Sequence, residues 1–257
     1  MSLGTSACPP PAGPLTTNVS VLKVELHAHS ADDPADRIPY TTIELIDRAA
    51  QLGYDALAVT LHERQLDLEP FVSYAADRGI TLIPGVERTI EGKHVLLLNF
   101  RRGADEVRSF EDLARLRHRD AGVVVAPHAF FPHPSCLRGL MDGHAALFDA
   151  VEYNAMVTPA IDFNRRAVRW ARDHGKPVVG AGDIHRLRQL GRTFSLIEAD
   201  RNADAICDAI RAGRVQVESR PLSLVAAAAL MLELLASDLR PRRAMPPAAP
   251  GDAVSSR

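Results

Sequence analysis

The chain reads Val-Glu-Leu-His-Ala-His at residues 24–29, and this segment decides which fold and site we expect. An apolar run ends there on two histidines, His27 and His29, which are two positions apart. Side chains at i and i+2 of a strand point to the same side of the sheet, so both imidazoles can reach one ion. The segment therefore predicts a β-strand that ends in a metal site.

A second segment of the same kind lies far along the chain. Residues 178–185 read Val-Val-Gly-Ala-Gly-Asp-Ile-His and place Asp183 and His185 two positions apart. Further metal-type residues stand at or near the ends of other expected strands: His62, Glu87, His94 and His128. A histidine taken singly is most often a core residue, since His is of intermediate burial. The repeated placement favours a metal site over that reading.

Apolar runs alternate with segments of helical periodicity between the two ends of the chain. The runs cover residues 21–26, 56–60, 80–86, 94–100, 123–127, 150–153 and 178–181, and the helical segments cover 42–52, 70–78, 110–120, 162–174 and 202–212. This alternation predicts an α/β fold with mostly parallel strands. Ligands after nearly every strand favour a closed barrel over an open sheet, because all strands of a barrel end at one rim.

Composition divides the chain into four parts. Residues 1–20 are rich in proline and small polar residues, which predicts a disordered N-terminal segment. Residues 21–220 form the expected catalytic barrel. Residues 221–240 hold an apolar stretch too short for a membrane span, and we expect a helix packed on the barrel or on a partner. Residues 241–257 have the composition of a disordered tail.

Overall charge and cysteine content exclude several classes of protein. The formal net charge of −2 gives no general field for nucleic acid or an anionic membrane. We therefore expect no membrane partner and no stable nucleic-acid complex, while the oligomeric state stays open. Three widely spaced cysteines indicate neither a disulfide framework nor a structural zinc, which fits a cytoplasmic protein. No Gly-rich nucleotide fingerprint follows the first strand.

The ligand types restrict the metals and the reaction. Imidazoles mixed with carboxylates suit zinc, manganese or iron(II). The inventory of roughly eight ligands exceeds what one ion needs, so two or three divalent ions are expected, with Glu87 as the bridging carboxylate. Neighbouring ions can activate water and clamp the oxygens of a phosphate, which predicts hydrolysis of a phosphoester.

The motifs together resemble the PHP superfamily, the polymerase and histidinol phosphatase domain, over about residues 22–218. The motifs are His-Ala-His at 27–29, Ala-Val-Thr-Leu-His at 58–62, Gly-Val-Glu at 85–87, Lys-His-Val-Leu-Leu-Leu at 93–98, Ala-Pro-His at 126–128 and Gly-Asp-Ile-His at 182–185. The resemblance implies a distorted (β/α)7 barrel with two or three metals. It also implies hydrolysis of phosphate esters, from small phosphomonoesters to nucleic-acid ends.

The resemblance further implies how the ligands divide among the ions. One ion would take His27, His29, Glu87 and Asp183; a second would take Glu87, His94 and His128; a third would take His62 and His185. The family often adds an acidic or histidine ligand a few residues after His29. Asp32, Asp33 and Asp36 all qualify here, and we favour Asp36, although these acids can equally be solvated loop residues.

One position departs from the family pattern. An aspartate usually precedes the histidine of the second motif, and here that position is Leu61. Leucine cannot orient an imidazole or a metal-bound water, so support for His62 must come from another group, for which Glu63 is a candidate. The third ion depends on that support.

Arginines near the ligands are the predicted phosphate clamps, because a guanidinium matches two phosphate oxygens. Arg64, Arg88 and Arg186 each lie one or two residues from an expected ligand, and Asn154 ends an apolar run that should reach the rim. We assign catalytic roles to Glu87, Asp183, Arg88 and Arg186 and substrate binding to Arg64 and Asn154.

The sequence thus predicts a metal-dependent phosphoesterase for a small phosphorylated metabolite or a nucleotide. Two alternatives stay open. One is a catalytically weak metal-binding or regulatory module, in which Leu61 records lost activity. The other is an amidohydrolase-type C–N hydrolase, which often needs a carbamylated lysine, and no lysine stands suitably at a strand end.

Overall fold

The computed structural model describes residues 20–238, so the disorder expected for residues 1–20 and 241–257 concerns residues outside this range, except Ser20, which begins the first strand. Nine strands form one sheet in the order β7-β6-β5-β4-β3-β2-β1-β8-β9. The strands are β1 (Ser20–Glu25), β2 (Ala56–His62), β3 (Thr81–Ile90), β4 (Lys93–Leu98), β5 (Val123–Ala126), β6 (Ala150–Asn154), β7 (Val178–Ala181), β8 (Thr193–Ala199) and β9 (Val215–Ser219).

Six α-helices connect or follow these strands within the described range. They are α1 (Thr42–Gln51), α2 (Glu69–Ala76), α3 (Phe110–Arg119), α4 (Asn164–Asp173), α5 (Ala203–Arg211) and α6 (Leu224–Asp238). Local sequence fixes several starts. Thr41 with Glu44, and Ser109 with Asp112, form reciprocal capping boxes at α1 and α3, which satisfy backbone N–H groups that the first turn leaves free.

The sheet curls until its edges nearly meet. Ser195 on β8 bonds Gly180 on β7 twice: the backbone N–H of Gly180 donates to Ser195 Oγ, and Ser195 Oγ donates to the Gly180 carbonyl, both at 2.9 Å. A side chain at Gly180 would place its Cβ 2.5 Å from the Phe194 carbonyl oxygen, so only glycine permits this approach. The fold is a mixed α/β fold with a nearly closed, barrel-shaped sheet, as expected.

The directions and number of the strands differ from the seven mostly parallel strands that were expected. Four strand pairs are parallel, and four are antiparallel within the described range. A tight turn at Glu91 and Gly92, both with positive φ, reverses the chain between β3 and β4. His94 therefore lies near the start of β4 yet shares the edge of the sheet on which β3 carries Glu87.

The barrel core lies away from that edge. Alternate side chains of the strands, such as Leu22, Val24 and Ile83, join Ile206 and Ile210 of α5 in one buried cluster. Two further clusters pack the outer faces of the sheet against the surrounding helices and loops. Because α5 fills one end, the rim at the other end is free to form a site.

Helix α6 lies at this rim. The backbone N–H of Leu222 donates to the Val157 carbonyl at 2.8 Å, Leu230 is buried, and Glu233 pairs with Arg186 and Arg188. Its outward residues stay apolar and exposed. None of the helices between residues 20 and 238 has both the length and the apolar character to cross a bilayer.

Candidate metal centre

The metal-type residues of all six motifs converge on one cavity. The cavity has a volume of about 280 Å³. It is lined by six of the expected ligands, namely His62, Glu87, His94, His128, Asp183 and His185, together with Asp36. His27 and His29 lie behind these residues and are fully buried. The structure thus brings together every residue that was expected to bind metal.

Glu87 stands at the centre, with one carboxylate oxygen turned toward each of two histidine sets. Oε2 lies 3.3 Å from His27 Nε2 and 3.1 Å from His62 Nε2. Oε1 lies 2.7 Å from His94 Nδ1 and 3.1 Å from His128 Nε2. A carboxylate in this position has the geometry to be shared between two cations.

Asp183 carries a second carboxylate close to His27 and His29. Its Oδ1 lies 3.4 Å from His27 Nε2 and 3.5 Å from His29 Nε2. Asp183 has a φ of +49°, and the preceding Gly182 has no room for a side chain, since its Cβ would lie 2.0 Å from Ile184 Cδ1. A left-handed non-glycine residue at a site costs energy that the surroundings must supply, which is typical of functional positions.

The donor set fits divalent metal ions. Among the buried side chains between residues 20 and 238, His29 Nε2 has no hydrogen-bond partner, although Glu87 Oε2 and Asp183 Oδ1 each lie 3.5 Å away. A buried polar atom without a partner is costly. Imidazole nitrogens and carboxylate oxygens around one such atom are the ligands that zinc, manganese and iron(II) accept. His27, His29, Glu87 and Asp183 would hold one ion.

The ligand groups expected for the second and third ions have different outcomes. Glu87, His94 and His128 lie together as expected, with His62 beside them. The ring centres of His62 and His185 are 6.3 Å apart, and each ring has different metal-type neighbours, so their shared ion stays a prediction. His62 faces Glu87, whereas His185 lies with His29 and Asp183.

Two of the three loop acids approach the site in different ways. Asp33 Oδ2 accepts the backbone N–H of His62 at 2.9 Å and lies 2.9 Å from His29 Nδ1 and 3.0 Å from His62 Nδ1. Asp33 thereby turns the Nε2 atoms of both rings toward Glu87. The favoured Asp36 lines the cavity, where its Oδ2 lies 2.8 Å from His185 Nε2.

Asp33 also provides the support for the His62 imidazole that Leu61 cannot provide. Leu61 is fully buried in the apolar layer between the sheet and helices α1 and α2. Glu63, the candidate for this support, bonds elsewhere: its carboxylate accepts the Thr89 backbone N–H at 3.0 Å and pairs with Arg88 at 2.6 Å. Support for His62 comes instead from Asp33, which lies 29 residues away in sequence. The motif around His62 therefore does not indicate it.

The electrostatics of the cluster favour tight pairing. Burial would lower the pKa of His62, but Asp33 and Glu87 raise it to about 11. Burial likewise opposes the charged form of His185, whose pKa Asp183 and Asp36 raise to about 10. Burial would raise the pKa of Glu87, and the surrounding imidazoles hold it well below its usual range. Without a metal ion, His62 and His185 are therefore protonated at neutral pH and pair with these carboxylates.

A second layer of groups holds the rings from behind. Glu152 Oε2 lies 2.7 Å from His27 Nδ1, and Glu152 Oε1 accepts from Asn154 Nδ2 at 2.7 Å. Cys136 Sγ lies 3.3 Å from His128 Nδ1. Asn154 lines the cavity as expected, but its amide group is bonded to Glu152. Cys136 gave no signal in the sequence, because it lies in a long loop without periodicity.

The predicted arginines separate into one at the cavity and two elsewhere. Arg88 is buried and bonds the Val107 carbonyl and the Glu63 carboxylate, so the phosphate role expected for it is not supported by its position. Arg64 is exposed outside the cavity. Arg186 lines the cavity and pairs with Glu233 at 2.8 Å. Arg37 lines the cavity too, although no sequence motif indicated it. Its guanidinium has no hydrogen-bond or ion-pair partner between residues 20 and 238.

Comparisons with known proteins agree with the fold. The family model described as PHP-associated matches residues 162–215. A crystal structure of PsfC from Pseudomonas syringae is similar, with 17% identity, a TM-score of 0.60, and coverage of 86% of this chain and 99% of that one. A Bacteroides vulgatus two-domain protein containing a predicted PHP-like metal-dependent phosphoesterase has 18% identity, a TM-score of 0.58, and coverage of 84% and 70%.

A third similar structure is endonuclease Q in complex with a duplex that carries an abasic lesion. It has 16% identity and a TM-score of 0.54, and the alignment covers 82% of this chain and 67% of that one. No curated protein matches the chain. These neighbours share the mixed α/β fold with a nearly closed, barrel-shaped sheet. The family-model match and the fold of these neighbours support the resemblance to the PHP superfamily that the motifs indicated.

Proposed function

We propose that the protein is a metal-dependent phosphoesterase that hydrolyses a small phosphate ester in a site with at least two metal ions. The observation that carries this proposal is the position of Glu87, whose two oxygens face two separate histidine sets. Divalent ions bound there would supply Lewis acidity and a water nucleophile at neutral pH. Manganese, zinc and iron(II) are the metals that the donor set suits.

The chain's own residues would prepare the site for this chemistry. Asp33 and Glu152 fix the rings of His29, His62 and His27 from behind, so little reorganisation is needed when ligands bind. Arg37 and Arg186 supply positive charge at the cavity wall for a phosphate group. Asp183 carries its carboxylate into the same cavity from the opposite side.

Cavity size supports a small substrate. Ligand pockets commonly run from about 300 to 1,000 Å³, and this cavity has about 280 Å³. A phosphorylated metabolite or the phosphate end of a nucleotide fits such a space better than a duplex does. We infer that a stable nucleic-acid complex is not the protein's role, and that two or three ions serve a compact phosphoester.

The C–N hydrolase alternative lacks support at the cavity. No lysine is among the residues that line it within the described range. Lys23 donates to the Leu52 carbonyl at 2.7 Å and Lys93 to the Pro134 carbonyl at 2.6 Å, both away from the ligands. We therefore keep the phosphoesterase as the proposed function.

The test is hydrolysis of p-nitrophenyl phosphate and bis-p-nitrophenyl phosphate by protein loaded with manganese, zinc or iron(II). Turnover that a chelator abolishes and added metal restores would support the proposal, and the preferred ester would distinguish monoesterase from diesterase. The Asp183→Asn variant should lose turnover, whereas Asp77→Asn, an exposed acid at the end of α2, should not. Metal uptake without turnover on any ester would favour the weak regulatory module instead.

A further inference from the structure

The entrance of the cavity differs chemically from its interior. Phe131, Met156, Met231 and Leu234 line the cavity, and each is partly exposed, unlike the buried ligand Glu87. We call these four residues the apolar mouth. They come from three separate segments: the loop after β5, the loop after β6, and helix α6.

The apolar mouth is held in place by contacts of its own. Phe131 packs against Phe163 with ring centres 5.2 Å apart. Helix α6, which carries Met231 and Leu234, is fixed by buried Leu230 and by the pair between Glu233 and Arg186. The side chains of the mouth therefore belong to segments that other contacts hold in place, and they can line a binding surface for a ligand.

Polar groups near the mouth offer little to a sugar or polyol. His133 Nδ1 and Ser135 Oγ bond each other at 2.8 Å. The Gln189 side-chain carbonyl accepts from the backbone N–H of Arg186 at 2.7 Å, and its amide donates to the Asp183 carbonyl at 3.2 Å. Among the polar groups lining the cavity outside the ligand cluster, Arg37 has its charge unpaired in the described part of the chain, and a guanidinium suits phosphate rather than hydroxyl.

We infer that the substrate is a phosphomonoester whose organic group is apolar, with room for about one aromatic ring. The phosphate would lie among the ligands and arginines, and the ring would contact Phe131, Met156 and Met231. Burial of an apolar ring stabilises a complex, and the sulfur atoms of methionine pack well against aromatic rings. This inference rests on the proposed function and specifies its substrate class.

The experiment compares three phosphonates that cannot be hydrolysed, on the metal-loaded full chain. Methylphosphonate has only the acidic head, benzylphosphonate adds a ring, and 2,3-dihydroxypropylphosphonate adds a polar group. Binding constants come from calorimetry and, independently, from inhibition of p-nitrophenyl phosphate hydrolysis. Benzylphosphonate should bind roughly 10- to 100-fold more tightly than methylphosphonate, which is the gain expected when an aromatic ring is buried. The polar compound should show no such gain.

Two neighbouring residues of α6 provide a matched pair of variants. Met231 lines the cavity, whereas Leu232 is 68% exposed and does not line it. Met231→Ser should reduce the preference for benzylphosphonate at least about threefold and leave methylphosphonate binding unchanged, while Leu232→Ser should change neither. Phe131→Ser tests the mouth from another segment, so the inference stays testable should one variant fail to fold.

The outcomes separate the inference from the proposed function. Hydrolysis of p-nitrophenyl phosphate together with equal affinities for the three phosphonates would overturn the apolar substrate and leave the phosphoesterase standing. Tighter binding of the polar compound would overturn it in favour of a polyol phosphate. Absence of both hydrolysis and phosphonate binding would overturn the proposed function and the inference with it.

Discussion

The floor of the cavity and its apolar mouth are built from different parts of the chain. The floor consists of the metal-type residues around Glu87, which come from strand ends and the turns next to them. The mouth consists of Phe131, Met156, Met231 and Leu234, which come from two long loops and a helix after the barrel. Under the proposed function, the barrel would hold the metal ions, and the segments outside it would contact the organic group of the substrate.

The largest expected effect is on the floor. Glu87→Gln removes the charge that both histidine sets share, so metal content should fall, and kcat/KM should drop by more than about 100-fold, beyond the 10- to 100-fold usual for groups behind the ligands. Met231→Ser at the mouth should cost only a few-fold on p-nitrophenyl phosphate. Elemental analysis and steady-state kinetics on both variants check this. Equal losses would remove the distinction between floor and mouth.

Leu61→Asp restores the residue common in the family, yet we expect harm rather than gain. Leu61 is fully buried in an apolar layer, and its replacement both leaves a gap and buries a carboxyl group without a partner. The free energy of unfolding should fall by at least about 3 kcal/mol, as measured by denaturant titration. Leu61→Met, which keeps volume and polarity, should lose less than about 1.5 kcal/mol. Increased turnover in Leu61→Asp would mean that His62 lacks support.

Asp33→Asn tests the carboxylate that supports His29 and His62. Metal affinity should fall about 10- to 100-fold, because both rings lose the acceptor that orients them. Asp32→Asn is the control, since the Asp32 side chain bonds Ser30 and Thr42 and neither imidazole. Competition titration with a fluorescent chelator gives both affinities. Identical values for the two variants would contradict the role of Asp33.

The stability of the metal-free protein should depend on pH through the protonated histidines of the floor. The pKa values of His62 and His185 are raised to about 11 and about 10 in the folded state. A raised folded pKa means that the stabilisation is fully present below the unfolded pKa of about 6.5 and is lost as the pH rises through the folded values. The melting temperature of metal-free protein should therefore decline from about pH 7 toward pH 10.

The mouth provides the control for this pH dependence. None of its four residues titrates, so Met231→Ser should keep the same slope. Saturating metal should remove the decline, because metal binding requires deprotonated ligands and its affinity rises with pH. A metal-free melting temperature that rises over this range would contradict the pairing of protonated imidazoles with Glu87 and Asp33.

The contrast between floor and mouth also explains what the sequence predicted. Spacing along strands indicated His27, His29, Asp183 and His185, because period-two geometry is local. The roles of Asp33 and Glu152 were harder to predict, because the histidines that they contact lie far away in the chain and only folding brings them together. The mouth was not predicted at all.

Physical reasons account for the remaining differences. Apolar residues in a loop, or in a helix after the barrel, give the same sequence pattern whether they pack inside the protein or contact a substrate. Arg88 lay next to a ligand in sequence, but neighbouring residues of a strand point to opposite sides, which turned it away from the cavity. Strands β8 and β9 were missed because neither carries a ligand motif.

Metal stoichiometry shows most directly whether Glu87 joins two histidine sets into one metal centre. The measurement is elemental analysis of the full chain after saturation with manganese or zinc and removal of excess ion, with Glu87→Gln in parallel. We expect at least two ions per chain in the unchanged protein and fewer in the variant. One ion or none in the unchanged protein, or equal content in the two proteins, would contradict it.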